Sequence, residues 1–318
     1  MQLVVMGTGP FAVPMFESLA SSEHQLAALV TRPNRSGSRR SSPAPNPMRE
    51  SAKTLDVPVL DPDDVNHPLI QQQLKELQPD LLVVCDYGQI LSAETLQVAP
   101  RGGINLHGSL LPCYRGAAPV QWAIIQGESI TGISVIHMTP RLDAGPCLVQ
   151  RETTIGQQED AGQLESRLAL LGVDAVMESI AMLEHWDGHS EIGVLQSEQD
   201  SSVAPRLSRQ DGEIDWSCGA EQIANRVRGL KPWPGSFTHW HRDSQSLRLI
   251  LDQLQVVAAS GEQLQPGTIL ELAEDGIHIA TGMDVVVIER LKPAGKRVMS
   301  AVEFLRGYPL AVGNQFGP

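Results

Sequence analysis

The stretch that decides the fold is Gly103-Ile-Asn-Leu-His107, which runs directly into Gly108-Ser-Leu-Leu-Pro112. The first five residues predict a short buried strand, and the Gly and Pro that follow predict a turn. Asn105 and His107 are two residues apart, so they lie on the same face of that strand. The strand therefore presents an amide and an imidazole side by side.

The chain downstream of this strand adds a carboxylate. An amphipathic helix is predicted from about Ala118 to Gln126, and a second strand over Gly132 to Met138. Asp143 follows this second strand in a turn rich in Gly and Pro. Ligands of open α/β sheets bind at the ends of the strands. We therefore expect Asn105, His107 and Asp143 to meet at that edge of a sheet.

The N-terminal half has the pattern of an α/β protein. An apolar strand, a Gly-rich turn and a helix to about Ala20 lead to a second strand over Gln25 to Val30, which is a βαβ unit. Asp80 to Cys85 is an apolar run typical of a strand covered on both faces. A long helix over Gly162 to Trp186 can cover one face. These elements predict a Rossmann-like, mostly parallel sheet.

The C-terminal part of the chain has a different pattern. Ser, Gln, Asp and Pro dominate from Glu191 to Leu207, as in a linker. A helix is predicted over Ala220 to Arg228, and short β-like runs with turns follow Pro232, which predicts a small OB-like β-barrel. We therefore divide the chain into a catalytic domain (1–190), a linker (191–207) and a C-terminal barrel (208–318).

Composition restricts the possible locations and partners. The 318 residues contain no apolar run long enough to span a membrane, the N-terminus lacks the features of a signal peptide, and four cysteines show no paired spacing. We expect a cytoplasmic protein. The net charge of −13 is uneven, because the segment from Thr31 to Arg49 holds five arginines and no acid. Charge alone favours a solvated linker there over an anion-binding loop.

Three other site chemistries can be weighed on the residues. Gly7 and Gly9 fit a loose dinucleotide fingerprint, which leaves an NAD(P)-binding protein as an alternative of a different class. Pro10 removes an N–H from that turn, and no acid ends the second strand. A nucleophile–base pair of Cys113 and His107 is possible in principle. A metal site would have to use His107, His137, Asp143 and Cys147, which lack a recognisable ligand spacing.

The combination of Asn105, His107, the run Ser109-Leu-Leu-Pro-Cys-Tyr-Arg-Gly116 and Asp143 with Gly145 resembles the formyltransferase family that uses 10-formyltetrahydrofolate. The resemblance implies formyl transfer to an amine, without an enzyme nucleophile and without a metal. It assigns Asn105 and His107 to stabilising an oxyanion, with His107 either neutral or protonated. It assigns Asp143 to relaying a proton.

The resemblance also implies a folate site. Its residues are Ser109, Leu110, Leu111 and Pro112 together with Tyr87, Gly88, Gln89 and Ile90. The sequence departs from the family at Asp86, where a small apolar residue is usual.

Segments along the whole chain resemble members that act on methionyl initiator tRNA, including Lys231-Pro-Trp-Pro-Gly235 and Pro293-Ala-Gly-Lys-Arg-Val-Met-Ser300. We therefore expect a monomer that binds this tRNA and folate. We expect no membrane partner. The resemblance implies tRNA contacts through Arg32, Arg35, Arg39, Arg40, Lys231, Lys296 and Arg297. An amino-sugar nucleotide is the alternative acceptor.

Overall fold

The computed structural model describes residues 1–34, 46–242, 245–259 and 265–317. The chain forms two compact units. The first contains Met1–Pro119, Ile130–Thr154 and Gln163–Pro205, and the second contains Val120–Ser129, Ile155–Gly162 and Arg206–Pro318. Three predicted site residues, Arg35, Arg39 and Arg40, lie outside the described residues.

The first unit is built on a seven-stranded sheet with the order β3-β2-β1-β4-β5-β7-β8. A separate pair, β6 and β9, lies off this sheet. The strands in the described part of this unit are β1 (Gln2–Gly7), β2 (Gln25–Val30), β3 (Val59–Leu60), β4 (Leu81–Cys85), β5 (Gly103–His107), β6 (Arg115–Gly116), β7 (Ile130–His137), β8 (Cys147–Thr154) and β9 (Val203–Ala204).

The sheet is mostly parallel, as predicted. Strands β3, β2, β1, β4 and β5 pair in parallel, and β7 and β8 add two antiparallel strands at one edge. The predicted strands near β5 and β7 are confirmed within about two residues. Strand β8 was not predicted, because its second half, Gln150 to Thr154, is polar and largely exposed. An edge strand can carry such residues, since one of its sides faces solvent.

Helices occur near the predicted segments up to Ala20, Ala118 to Gln126, Gly162 to Trp186 and Ala220 to Arg228. The described helices are α1 (Val13–Ala20), α2 (Pro47–Thr54), α3 (Pro68–Glu76), α4 (Ala93–Leu96), α5 (Pro119–Ile125), α6 (Ala161–Glu184), α7 (Ala220–Gly229) and α8 (Ala301–Gly307). Ser92 caps the start of α4, because its hydroxyl accepts from the Thr95 N–H. In none of the residues that the structure describes is there a helix long and apolar enough to cross a membrane.

The second unit contains a curled antiparallel sheet. Its strands in the described residues are β10 (Ser236–Arg242), β11 (Gln245–Val257), β12 (Ile269–Leu272), β13 (Ile277–Ala280), β14 (Val285–Pro293) and β15 (Met299–Ser300). They follow the order β10-β11-β14-β13-β12, with β15 beside β14. Alternate apolar residues of these strands form a core with α7 and α8. The predicted α/β sheet and β-rich C-terminal part are thus both present.

Candidate active site

Strand β5 places Asn105 and His107 on one face of the sheet. Leu106, which lies between them, points to the other face and packs against α6. Gly172 allows this close approach, since a Cβ there would lie 2.5 Å from a Leu106 methyl group. Helix α6 therefore covers one face at this point, and the amide and the imidazole occupy the opposite face.

Asp143 reaches these two residues by a route that the sequence did not reveal. Strand β7 is antiparallel to β5, so β7 ends beside the start of β5, where the Met138 N–H donates to the Gly103 carbonyl (2.7 Å). The loop from Met138 to Pro146 must then double back along β5. Asp143 consequently contacts Asn105 in the middle of β5, and the site is not confined to the carboxyl edge of the sheet.

The Asp143 carboxylate is held by groups on two other segments. Asn105 Nδ2 donates to Oδ1 (3.3 Å), and the Gly116 N–H donates to Oδ2 (2.9 Å). His107 Nδ1 lies 3.8 Å from Oδ2. The Asp143 backbone has a φ of 49°, a left-handed conformation that Asp tolerates better than most residues. The structure thus brings the three predicted catalytic residues together.

The hydrogen bond of His107 defines which of its nitrogens carries a proton. His107 Nε2 lies 2.9 Å from the carbonyl oxygen of Tyr114, and a carbonyl can only accept. Nε2 is therefore protonated and donates to Tyr114, which leaves Nδ1 facing Asp143.

Close approach of the backbone explains Gly145 in the Leu-Asp-Ala-Gly sequence. A Cβ on Gly145 would lie 1.9 Å from the carbonyl oxygen of His137. Real Cβ atoms do not approach a backbone oxygen so closely. A larger residue would therefore push the Asp143 loop away from β7.

A buried hydroxyl organises the predicted folate loop. Ser134, on β7, is fully buried and donates to the Ser109 carbonyl (2.7 Å). The same hydroxyl accepts from the Leu111 N–H (3.0 Å) and from Gln150 Nε2 (2.9 Å). One donor and two acceptor positions are all used. Sequence reasoning missed Ser134, since its role depends on contacts across three segments.

Replacing Ser134 by Ala should lower the free energy of unfolding by about 1–3 kcal/mol, because it leaves buried donors and acceptors without a partner. A thermal or urea unfolding curve measures this. Ser179→Ala is the matched control, since Ser179 is equally buried but its hydroxyl only donates to Ala175 O in its own helix (2.7 Å). Equal losses for the two variants would show that the Ser134 network contributes nothing particular.

The other predicted folate segment, Tyr87 to Ile90, follows β4 and so lies at the same edge of the sheet as the end of β5. Tyr87 is buried in the core, whereas Ile90 is exposed. The Gln89 side chain accepts from the Val65 N–H (3.0 Å) and donates to Pro62 O (3.2 Å). The Gln89 side chain is thus engaged within the unit, and the carbonyls of Tyr87, Gly88 and Ile90 accept from Thr8, Arg32 and Asn66. The Ile90 side chain is exposed.

Asp86 lies where the strand order reverses, between the ends of β1 and β4. Its carboxylate rests against Gly9, since a Cβ on Gly9 would lie 1.7 Å from Asp86 Oδ2. The Asp86 residue is exposed to solvent, yet the surrounding protein desolvates its carboxylate. This desolvation raises the pKa of Asp86 to about 6, against an opposing effect of Arg32.

Glu165, on α6, is electrostatically coupled to Asp86. Burial, and then the negative charge of Asp86, raise the pKa of Glu165 to about 7. Burial chiefly, and then Asp86 and Glu165, also raise the pKa of the Cys85 thiol. The sequence had marked Asp86 as unusual, but the partner on α6 could not be found from it.

Glu165→Gln should stabilise the protein at pH 8 but not at pH 4. A carboxyl whose pKa is higher in the folded state lowers stability once the pH rises above its unfolded value of 4.5, and this cost is complete above about 7. Removing the charge should recover roughly 1–3 kcal/mol at pH 8. Thermal midpoints at both pH values measure it. The exposed Glu152→Gln should show no such difference, and an equal effect at pH 4 would exclude a titration origin.

Four of the residues predicted to contact tRNA lie in the described part of the chain. Arg32 donates to the Gly88 carbonyl, within the predicted folate loop. Lys231 Nζ lies 3.5 Å from Asp252, and Arg297 donates to Glu303 (3.0 Å). Lys296 is exposed in the turn between β14 and β15.

The geometry does not favour the three alternative chemistries, which are a Cys113–His107 pair, a metal site and a dinucleotide site. Cys113 Sγ lies 3.6 Å from the Asp200 carbonyl, while the His107 nitrogens face Tyr114 and Asp143. Among the residues that the structure describes, no three His, Cys, Asp or Glu side chains are grouped to hold a metal ion. The Asp86 carboxylate stands at Gly9, where a dinucleotide would need its phosphates, and two negative charges there would repel each other.

The fold and the site together define an α/β protein whose Rossmann-like sheet carries an amide, an imidazole and a carboxylate, with a β-rich second unit. The chain belongs to the formyl transferase family: residues 1–180 match the family's formyl transferase domain, and residues 206–309 match its C-terminal domain.

Relatives are similar over the full length of the chain. The methionyl-tRNA formyltransferase of Rhodopirellula baltica is 46% identical and is aligned over 99% of this chain and 96% of its own. That of Heliobacterium modesticaldum is 38% identical over 100% of both chains. Among solved structures, an N-formyltransferase from Helicobacter canadensis has a TM-score of 0.64 at 15% identity, covering 90% of this chain and 98% of its own. This last likeness concerns the fold alone.

Proposed function

We propose that this protein transfers the formyl group of 10-formyltetrahydrofolate to the α-amino group of methionyl initiator tRNA. The observation that carries the proposal is the contact of Asn105 and Gly116 with the Asp143 carboxylate, with His107 facing it. Membership of the formyl transferase family and full-length similarity to methionyl-tRNA formyltransferases support the choice of donor and acceptor.

In the proposed reaction, the amine of the acceptor attacks the formyl carbon and forms a new C–N bond. The formyl oxygen then carries negative charge, which the second N–H of Asn105 and a protonated Nδ1 of His107 are suited to stabilise. The bond to the folate nitrogen breaks as that nitrogen takes up a proton. Asp143 would accept the proton lost by the attacking amine and pass it on, directly or through a water.

The proposed folate contacts are the backbone and apolar side chains of the Ser109–Pro112 loop and of Tyr87–Ile90. The network of Ser134 supports the first segment by fixing the carbonyl of Ser109 and the N–H of Leu111. We retain a catalytic domain (1–190), a linker (191–207) and a C-terminal domain (208–318) as the proposed division. A monomer is proposed as well.

Formyl transfer from 10-formyltetrahydrofolate tests the proposal, with methionyl initiator tRNA and an amino-sugar nucleotide offered in parallel. We expect the tRNA alone to be formylated. Formylation of the sugar alone would replace the proposed acceptor and retain the site. Transfer to neither acceptor would count against the folate site itself, and Asp86 would then be the first residue to replace by Ala.

We also propose that Lys296 and Arg297 bind tRNA phosphates. The double replacement Lys296→Ser with Arg297→Ser should weaken tRNA binding and lower the slope of log affinity against log salt by about two, roughly one for each phosphate that is no longer neutralised. Filter binding between low and moderate salt measures the slope. The exposed Lys75→Ser is the control. An unchanged slope in the double variant would remove both residues from the proposed tRNA surface.

A further inference from the structure

One side chain from the predicted linker joins the loop that carries Asp143. Gln196 Nε2 donates to the backbone carbonyls of Asp143 (2.8 Å) and Gly145 (2.7 Å). Its Oε1 accepts from Arg115 Nε (3.0 Å) and Nη2 (2.8 Å). Both donors and both acceptor positions of the amide are therefore used within the first unit.

The orientation of this amide is fixed by its partners. A guanidinium only donates and a carbonyl only accepts, so Oε1 must face Arg115 and Nε2 must face the loop. Arg115 is itself largely buried and is held on its other side by Glu198, through Nη1 (3.2 Å). The bidentate contact with Arg115 therefore gives Gln196 a fixed position.

The two residues of β6 thus act on the same loop. Gly116 donates its N–H to the Asp143 carboxylate, and the adjacent Arg115 fixes Gln196, which holds the Asp143 and Gly145 carbonyls. Strand β6 is anchored in turn by its pairing with β9, which follows Gln196 in the chain. Strand β6 therefore holds both the side chain of Asp143, through Gly116, and its backbone, through Arg115 and Gln196.

We propose that Gln196 is a positioning residue that holds the Asp143–Gly145 segment in the geometry required for proton relay. This inference rests on the proposed function for its kinetic consequence. Gln196 touches neither the carboxylate nor any proposed substrate group, and it acts through the backbone of Asp143.

The variant Gln196→Glu separates positioning from folding. A carboxylate keeps two acceptors for Arg115 but presents no donor to the two carbonyls. We expect kcat for formyl transfer to fall by about 10-fold to 10²-fold, because a displaced catalytic group reacts more slowly. The KM values for folate and tRNA should stay within about twofold of wild type. Gln199→Glu, at an exposed position of the same segment, should leave both constants unchanged. If Gln196→Glu does not fold, Gln196→Ala replaces it.

A double variant distinguishes positioning from general damage. When Asp143→Asn is already present, Gln196→Glu should cause little further loss of kcat, because the two changes act on one group. An equal further loss in that background, or an unchanged kcat in the single variant, would overturn the inference.

Amide hydrogen exchange tests the role of Gln196 even if the formyl acceptor is not methionyl initiator tRNA. Residues 139–146 should exchange faster in Gln196→Glu than in wild type, whatever the substrate. Wild-type formyl transfer measures the proposed function, and the exchange rate measures the role of Gln196. Unchanged exchange in this loop would refute that role even if the protein formylates tRNA.

Discussion

Asp143→Asn should lower kcat for formyl transfer by about 10²-fold or more while leaving the fold intact. The carboxylate accepts from Asn105 and from the Gly116 N–H, and an amide can accept on only one of its two positions. The variant must therefore place an NH₂ group against one of these donors, and it also loses the ability to take up a proton. Stopped-flow or steady-state transfer assays with saturating folate and tRNA measure the effect.

Asn105→Ala gives an independent test of the same site. It removes an oxyanion donor and one of the bonds to Asp143, so a loss of similar size is expected, about 10²-fold. Asp200→Asn, at an exposed carboxylate in the first unit, is the control and should retain wild-type kcat. Circular dichroism and a thermal midpoint near that of wild type establish that each variant is folded. Wild-type kcat in both site variants would contradict the assignment of Asn105 and Asp143.

The part of this site that could be predicted is the part set by local periodicity. Strand alternation alone put Asn105 and His107 on one face, and β5 has the predicted bounds. The approach of Asp143 could not be predicted in the same way. The rule for ligands in α/β sheets assumes parallel strands, whereas β7 is antiparallel, and the loop after it has to double back.

The supporting contacts could not be predicted because they join distant segments. Ser134 acts on Ser109 and Leu111, and Gln196 acts on the Asp143 loop, some fifty residues away in sequence. A single Ser in a strand or a single Gln in a polar stretch has no pattern that indicates such a role. Glu165 is similar: helical periodicity placed α6 correctly, but only the three-dimensional structure pairs its carboxyl with Asp86.

In the C-terminal part, too, some elements could be predicted from local patterns and others were missed. The predicted runs correspond to β10 through β14, because alternating apolar residues there form the core. Strand β15 and helix α8 were missed, although Ser300 and Glu303 form a capping box that marks the start of that helix.

The second large effect is expected for Gly116→Ala. Gly116 has a φ of 127°, a conformation that residues with a Cβ rarely adopt, and the added Cβ would lie 2.5 Å from the Ala204 carbonyl oxygen in β9. Either the pairing of β6 with β9 opens or the backbone rotates. Strain of this kind should lower the free energy of unfolding by about 2 kcal/mol or more.

The same substitution should reduce kcat by about 10²-fold, because any rotation at residue 116 redirects the N–H that holds Asp143 Oδ2. Gly307→Ala is the matched control. Gly307 ends α8 without a positive φ, and no heavy atom of the described residues lies within 4 Å of a Cβ added there, so Ala should be neutral or slightly stabilising. Urea unfolding and formyl transfer on both variants give the comparison. A Gly116→Ala protein with wild-type stability and kcat would show that the β6–β9 pair does not hold the Asp143 carboxylate in place.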